Sequence, residues 1–126
     1  MASAATGKIP AQSGKGLNVV LWALQILAAL AFLAAGGSKL AGAPPMVAAF
    51  AKIGVGQWFR YLTGLLEVAG AIALLIPGYA FYGGSLLATV MVGAIIAHLS
   101  ILGGSPAAPI VLLLLTGAIA YLRRPR

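Results

Sequence analysis

Four stretches of the chain are almost wholly apolar, and short segments rich in Gly, Pro or charge separate them. A helix that crosses a bilayer needs about 20 consecutive apolar residues, within a range of ~17–25. The runs predict spans at about 18–37, 58–76, 79–102 and 107–122. Stop signals sit where each run ends. Pro77-Gly78 closes the second, Gly103-Gly104-Ser105-Pro106 closes the third, and Arg123, Arg124 and Arg126 follow the fourth. The fourth run is the shortest, and it fits a bilayer when its flanking Arg side chains snorkel to the interface. The first run has an alternative reading as a secretory signal with Lys8 and Lys15 before it. Its apolar length exceeds the usual h-region of about 7–15 residues, and Gly36-Gly37-Ser38-Lys39 makes a poor cleavage site.

Only one connection is long, from Ser38 to Arg60. Pro44-Pro45 opens a short stretch within it and Gly54 closes it, the asymmetry expected of a helix. Met46, Phe50 and Ile53 recur at helical spacing and make one face apolar. This stretch reads as a two-turn helix that lies on the membrane surface or caps the bundle; the alternative is a plain packed loop. The fold class is therefore all-α: an integral membrane four-helix bundle with a short amphipathic helix in the first connection. It occupies 18–126 behind a polar tail, 1–17, that is expected to be disordered and cytoplasmic.

Composition narrows the picture further. Of 126 residues, 62% are apolar and 7% charged, against roughly 45–50% and about 25% in an ordinary soluble domain. A small soluble domain could not bury that much apolar surface. Eight Lys/Arg oppose one acid, for a net charge of +7. These bases stand singly at the ends of apolar runs and form no phosphate-contacting stripe, so nucleic acid is not an expected partner. Five of them (Lys8, Lys15, Arg123, Arg124, Arg126) fall on the side shared by the termini, and Lys39, Lys52 and Arg60 fall on the other. That excess predicts both termini in the cytoplasm. Aromatic residues gather at both expected interfaces, Trp22, Tyr79, Tyr82 and Tyr121 at one, and Trp58, Phe59 and Tyr61 at the other. There is no Cys, which excludes thiol redox chemistry, Cys-ligated zinc and iron–sulfur clusters on this chain.

Few residues remain that could carry chemistry. Glu67 is the lone acid and lies inside the second span. An acid at mid-helix costs on the order of 2.5–3.5 kcal/mol to insert and normally faces a partner in the protein interior. Gly64 and Gly70 flank it on one helix face, where small residues admit a neighbouring helix. In the first span Asn18, Gln25, Phe32 and Lys39 recur every seven residues and form one polar-bearing face. Lys39 is the expected partner of Glu67, with Arg60 as the alternative cation. The pair serves either helix registry or ligand and proton handling, and both roles stay open at this point. His98 is the lone His and is either a hydrogen-bonded packing residue or a third member of a Lys39–Glu67–His98 cluster. One His without companion ligands makes no metal site. Ser85, Thr89, Gly93 and Ser100 form a small-polar stripe roughly opposite His98, so the two faces are not expected to line one narrow groove. No Ser stands with a base and an orienting acid, and no Gly pair is followed by a P-loop Lys-Ser/Thr, so catalysis by this chain alone is not expected.

Taken in order, three motifs carry a family resemblance. They are Phe32-x-x-x-Gly36-x-x-Lys39-Leu40, Met46-x-x-x-Phe50-x-x-x-Gly54 and Gly64-x-x-Glu67-x-x-Gly70. A third helix ending with His98, a Pro-containing loop and a last apolar helix with a basic tail follow them. From about Asn18 onward the chain resembles the DoxX family, closest to its compact DoxX-like branch. The resemblance implies a four-helix membrane bundle in the bacterial cytoplasmic membrane. It also implies an accessory place beside redox or sulfur enzymes, since the family takes its name from a subunit of a thiosulfate:quinone oxidoreductase. Lys39 and Glu67 carry over as the family's polar pair, and His98 joins them. The functional expectation is a non-catalytic accessory or scaffold subunit of a membrane-associated redox complex, in contact with the lipid bilayer, with other membrane proteins and with further copies of itself. The alternatives are a quinone- or lipid-binding subunit of an oxidoreductase, with quinone as the one cofactor considered, and a small multidrug-type exporter.

Overall fold

A computed structural model describes the backbone of residues 2–125 and the side chains of residues 14–125. Among the described residues there are helices and connecting turns and no strands. Helix α1 is Ala2–Ala41, α2 is Pro44–Ile53, α3 is Gln57–Leu75, α4 is Ala80–Ala97 and α5 is Ala107–Leu122. A π-helical turn, His98–Leu102, continues α4. The protein is an all-α membrane protein, as its apolar runs predict. The described part of α1, together with α3 and α4 plus its π-turn, are each long and apolar enough to cross a bilayer. Helix α5 is apolar but shorter, at 16 residues. Most of the tail expected to be disordered lies outside the residues whose side chains are described. Its last residues, 14–17, are exposed and already helical, so α1 is under way before Asn18. A packed helix propagates outward cheaply once it is nucleated.

The short helix in the first connection forms where expected. Pro occupies its first turn, and Gly54 ends it in the left-handed conformation (φ 84°) with its N–H bonded to the Phe50 carbonyl. One face of this helix packs on the bundle. Phe50 is buried and packs edge-on against Phe59. Two polar ties hold α2 in place: Lys52 Nζ donates to the Leu102 carbonyl at 3.1 Å and Gln57 Nε2 donates to the Val47 carbonyl at 3.0 Å.

Helices α1 and α3 pack antiparallel, followed by α3 on α4 and α4 on α5, while α1 touches α5 more lightly. Glycines set how closely the first two pairs approach. A Cβ on Gly36 would stand 2.8 Å from the Gly64 carbonyl oxygen, and one on Gly64 would stand 2.9 Å from that of Gly36. The α1 and α3 backbones are therefore in direct contact, the small-residue packing that membrane helices use in place of a hydrophobic driving force. Gly83 meets the Gly70 carbonyl in the same way, at 2.7 Å. Between the helices lies a core of Ala28, Phe32, Ala71, Leu74, Leu87 and Ile119. Large apolar side chains such as Leu30, Leu99 and Leu114 are more than half exposed. A belt of that kind would be a liability in water and is suited to lipid.

Each helix of the first pair also caps the other. Gln25 of α1 donates from Nε2 to the Leu74 carbonyl in the last turn of α3, at 2.7 Å. Arg60 of α3 donates from Nη1 to the Lys39 carbonyl in the last turn of α1. The final carbonyls of a helix lack intrahelical donors; the Leu74 carbonyl receives the Gln25 amide, and the Lys39 carbonyl receives Arg60 together with the backbone N–H of Gly42.

Candidate functional site

Glu67 sits at the middle of the α1–α3 contact. Lys39 Nζ lies 2.9 Å from its Oε1, with the two side chains 15% and 2% exposed respectively. It is the one ion pair among the described residues. The glycine contact produces it: the Cβ position of Gly36 is 3.1 Å from Glu67 Cβ, and that of Gly64 is 3.0 Å from Lys39 Cβ. With bulkier residues there the helices would stand apart and the ammonium could not reach the carboxylate. No aligned hydrogen bond reaches Oε1, so the contact is a charge pair rather than a well-directed bond. Arg60, the alternative cation, does not pair with Glu67. Its guanidinium is buried, donates to Gln57 Oε1 at 2.7 Å as well as to the Lys39 carbonyl, and stacks over Tyr61. Arg60 thus holds the backbone of the residue that pairs with Glu67.

Beside the pair opens a cavity of about 530 Å³. Lys39 of α1, Met46 and Phe50 of α2, Thr63 and Glu67 of α3, Val90 and Ala94 of α4, and Leu112 of α5 contribute to its wall. His98 lines it too. The wall is apolar apart from five side chains, Lys39, Thr63, Glu67, Thr89 and His98. Two of these are bonded to their own helices: Thr63 Oγ1 to the Phe59 carbonyl and Thr89 Oγ1 to the Ser85 carbonyl. His98 Nδ1 lies 2.9 Å from the Ala94 carbonyl oxygen. A carbonyl only accepts, so this bond places a proton on Nδ1, and in the neutral ring Nε2 is then the acceptor.

A family model for the DoxX-like family matches residues 23–120. The chain belongs to the DoxX-like family. No curated protein and no solved structure matches it.

In this DoxX-like protein the three residues singled out from sequence all line one cavity. Lys39 and Glu67 are in contact, whereas no hydrogen bond joins His98 to either of them among the described residues. One expectation needs correction. Thr89 and Gly93 of the small-polar stripe line the same cavity as His98. The cavity is no narrow groove; it reaches round α4 from the face of Thr89 and Gly93 to that of Val90, Ala94 and His98. Among the described residues no group of three or more His, Cys, Asp or Glu side chains could hold a metal ion.

A second polar centre lies at the other end of the helices. The Gln25 amide that caps α3 accepts at Oε1 a hydrogen bond from Arg123 Nε, at 2.8 Å across 98 positions of chain. The polar face Asn18–Gln25–Phe32–Lys39 was visible as a pattern, but its link to Arg123 was not. The only sequence signal for that link was a strongly polar Gln within an otherwise apolar span.

Proposed function

We propose that this protein is a ligand-binding subunit of the bacterial cytoplasmic membrane. It crosses the bilayer four times with both termini inside, α5 included. Its cavity holds an amphiphile with an apolar body and a hydrogen-bonding head, of the quinone or lipid kind. The protein presents this ligand to a membrane-associated redox partner, or to a second copy of itself, and does no bond chemistry of its own.

One observation carries the reading: a roomy, mostly apolar cavity with a buried ion pair set in its wall. Ligand sites are commonly apolar with a few convergent polar groups, in volumes of about 300–1,000 Å³. A purely structural pair would be expected to sit in packed core, without an open volume against it. Lys39 supplies a donor to a carbonyl or phosphate head, and His98 Nε2 supplies an acceptor to a hydroxyl. The exporter alternative is disfavoured, because a carboxylate that exchanges cationic drugs must be free, and Glu67 already has its cation.

A benzoquinone with a decyl tail, titrated into the full chain in lipid nanodiscs, tests this reading. Binding is expected to saturate above the background of empty nanodiscs. Gly93→Phe should block it without unfolding the protein, since Gly93 lines the cavity and its Cβ would meet nothing within 4 Å. Glu67→Gln should weaken binding by about tenfold, equivalent to ~1.4 kcal/mol. Equal uptake by wild type and Gly93→Phe would overturn the reading.

A further inference from the structure

The centre at the Arg123 end includes a cleft of its own, of about 260 Å³, bordered by Asn18, Trp22, Gln25, Gly78 and Arg123. At about 30 Å³ per water, it has room for a small polar group together with several waters. Its electrostatics are one-sided. The lone acid of the chain, Glu67, is engaged by Lys39 at the other end of α1 and α3. Among the described residues Arg123 has only neutral partners: Nε donates to Gln25 and the guanidinium lies 6.0 Å over the Trp22 ring. Its Nη2 atom is buried and has no hydrogen-bond partner among the described residues. Arg123 borders the cleft and is only partly buried, so an anion seated there would compensate a guanidinium charge that its neutral partners leave unbalanced. The adjoining Arg124 stacks on Tyr121 at 4.0 Å, bonds to that residue's carbonyl and does not border the cleft. Asn18 and Trp22, whose side chains carry an amide and an indole N–H, also border it.

We propose that this cleft binds a phosphate group, with Arg123 as its principal ligand and Asn18 and Trp22 as auxiliary donors. A planar guanidinium suits phosphate oxygens, which can accept from more than one of its N–H groups. Gln25 fixes the orientation of that guanidinium by accepting from Nε, which leaves the Nη side for the anion. Tyr79, Tyr82 and Tyr121 are all more than half exposed at this end, and such rings favour the depth of lipid headgroups. The source that fits this position is therefore the headgroup of an anionic phospholipid, and free phosphate is the other source of the same chemistry. This site is separate from the Lys39–Glu67 cavity and stands whether or not that cavity binds a quinone.

Trp22 supplies a reporter, because Trp58 is the only other Trp and lies at the opposite end. In a Trp58→Phe background, the full chain in detergent is titrated with phosphatidylglycerol, with phosphatidylcholine of the same acyl chains, and with inorganic phosphate against chloride at matched ionic strength. A saturable change in Trp22 emission is expected with phosphatidylglycerol. Arg123→Gln should weaken it by about tenfold, the ratio that ~1.4 kcal/mol represents, while Arg124→Gln leaves it within about twofold. Arg123→Lys, which keeps the charge but loses the fork, should fall between the two. Saturation by inorganic phosphate with no response to the lipid would keep the phosphate site and assign it to a soluble source. No titration of Trp22 by either, or binding unchanged in Arg123→Gln, would overturn the proposal. If Arg123→Gln does not fold, native mass spectrometry of the wild type decides: preferential retention of phosphatidylglycerol over phosphatidylcholine supports the site, and equal retention overturns it.

Discussion

The two polar centres on the α1–α3 pair solve the problem of polarity inside a membrane protein in opposite ways. At the α2 end, two full charges neutralise each other 2.9 Å apart, and open space remains beside them. At the Arg123 end, a neutral amide spans a helix terminus and a guanidinium that has no anionic partner among the described residues. The first centre is balanced in charge yet geometrically loose, since no aligned hydrogen bond reaches Oε1. The second is well directed, with bonds of 2.7 and 2.8 Å, yet unbalanced in charge. A balanced pair beside a cavity can lend a donor or acceptor to a neutral head, whereas an unbalanced cation attracts an anion. The difference teaches that burial of a polar residue says little about its task until its net charge and its free valences are counted together.

Breaking the first centre should have the largest effect. Lys39→Met leaves the Glu67 carboxylate buried without a cation and should cost about 3–5 kcal/mol, read as lost resistance to unfolding in detergent titrations. Lys39→Met combined with Glu67→Leu should recover most of that loss, because replacing both charges removes the orphan. If the double variant is no better than the single one, the charges are not coupled as described. Next in size is the contact that brings the charges together. Gly36→Ala sets a methyl group 2.8 Å from a backbone oxygen and should cost about 1–3 kcal/mol by forcing α1 and α3 apart. It should also loosen the Lys39–Glu67 pair, which crosslinking of Cys residues placed across the helix contact would register. The second centre should be less sensitive. Gln25→Leu keeps the volume but strips a donor from the Leu74 carbonyl and an acceptor from Arg123, at a cost of about 1–3 kcal/mol. A loss as large as that of Lys39→Met would remove the contrast between the two ends. The smallest effect belongs to Thr116→Val. This hydroxyl is fully buried, but it bonds to the Leu112 carbonyl of its own helix, so its removal orphans nothing and should shift stability by less than about 1 kcal/mol.

The Lys39–Glu67 contact was legible from sequence because it rests on local spacing: Gly64 and Gly70 mark the face that Glu67 shares, and the seven-residue recurrence through Gln25 and Phe32 marks the face of Lys39. Antiparallel connection then brings those two faces to the same depth. The short helix α2 was legible for a similar reason, since its Pro start, Gly stop and apolar face lie close together in the sequence. Gln25–Arg123 was not legible. It depends on how α5 is rotated about its axis and how near it comes to α1, and an apolar helix with no pronounced face leaves that rotation unmarked. Nor was the cavity legible. Its volume arises where α2, α4 and α5 fail to fill space against α3, and no pattern along a single helix encodes an absence of contact. The separation drawn between His98 and the stripe of Thr89 and Gly93 failed for this reason: the angle between side chains was right, while the width of the space they line was unknown.

The mutual capping of α1 and α3 restricts which movements the protein can make. Gln25 and Arg60 grip the far ends of opposite helices, so sliding one rod along the other by a single turn would strip the Leu74 carbonyl of its donor and pull the buried Arg60 guanidinium off the Lys39 carbonyl. A piston stroke is thereby opposed, and the same two bonds, with the Lys39–Glu67 pair, tie the rods against separating. Any widening that admits a guest must come from the other flank, as a swing of α2 or of the α4–α5 hairpin about a stationary spine.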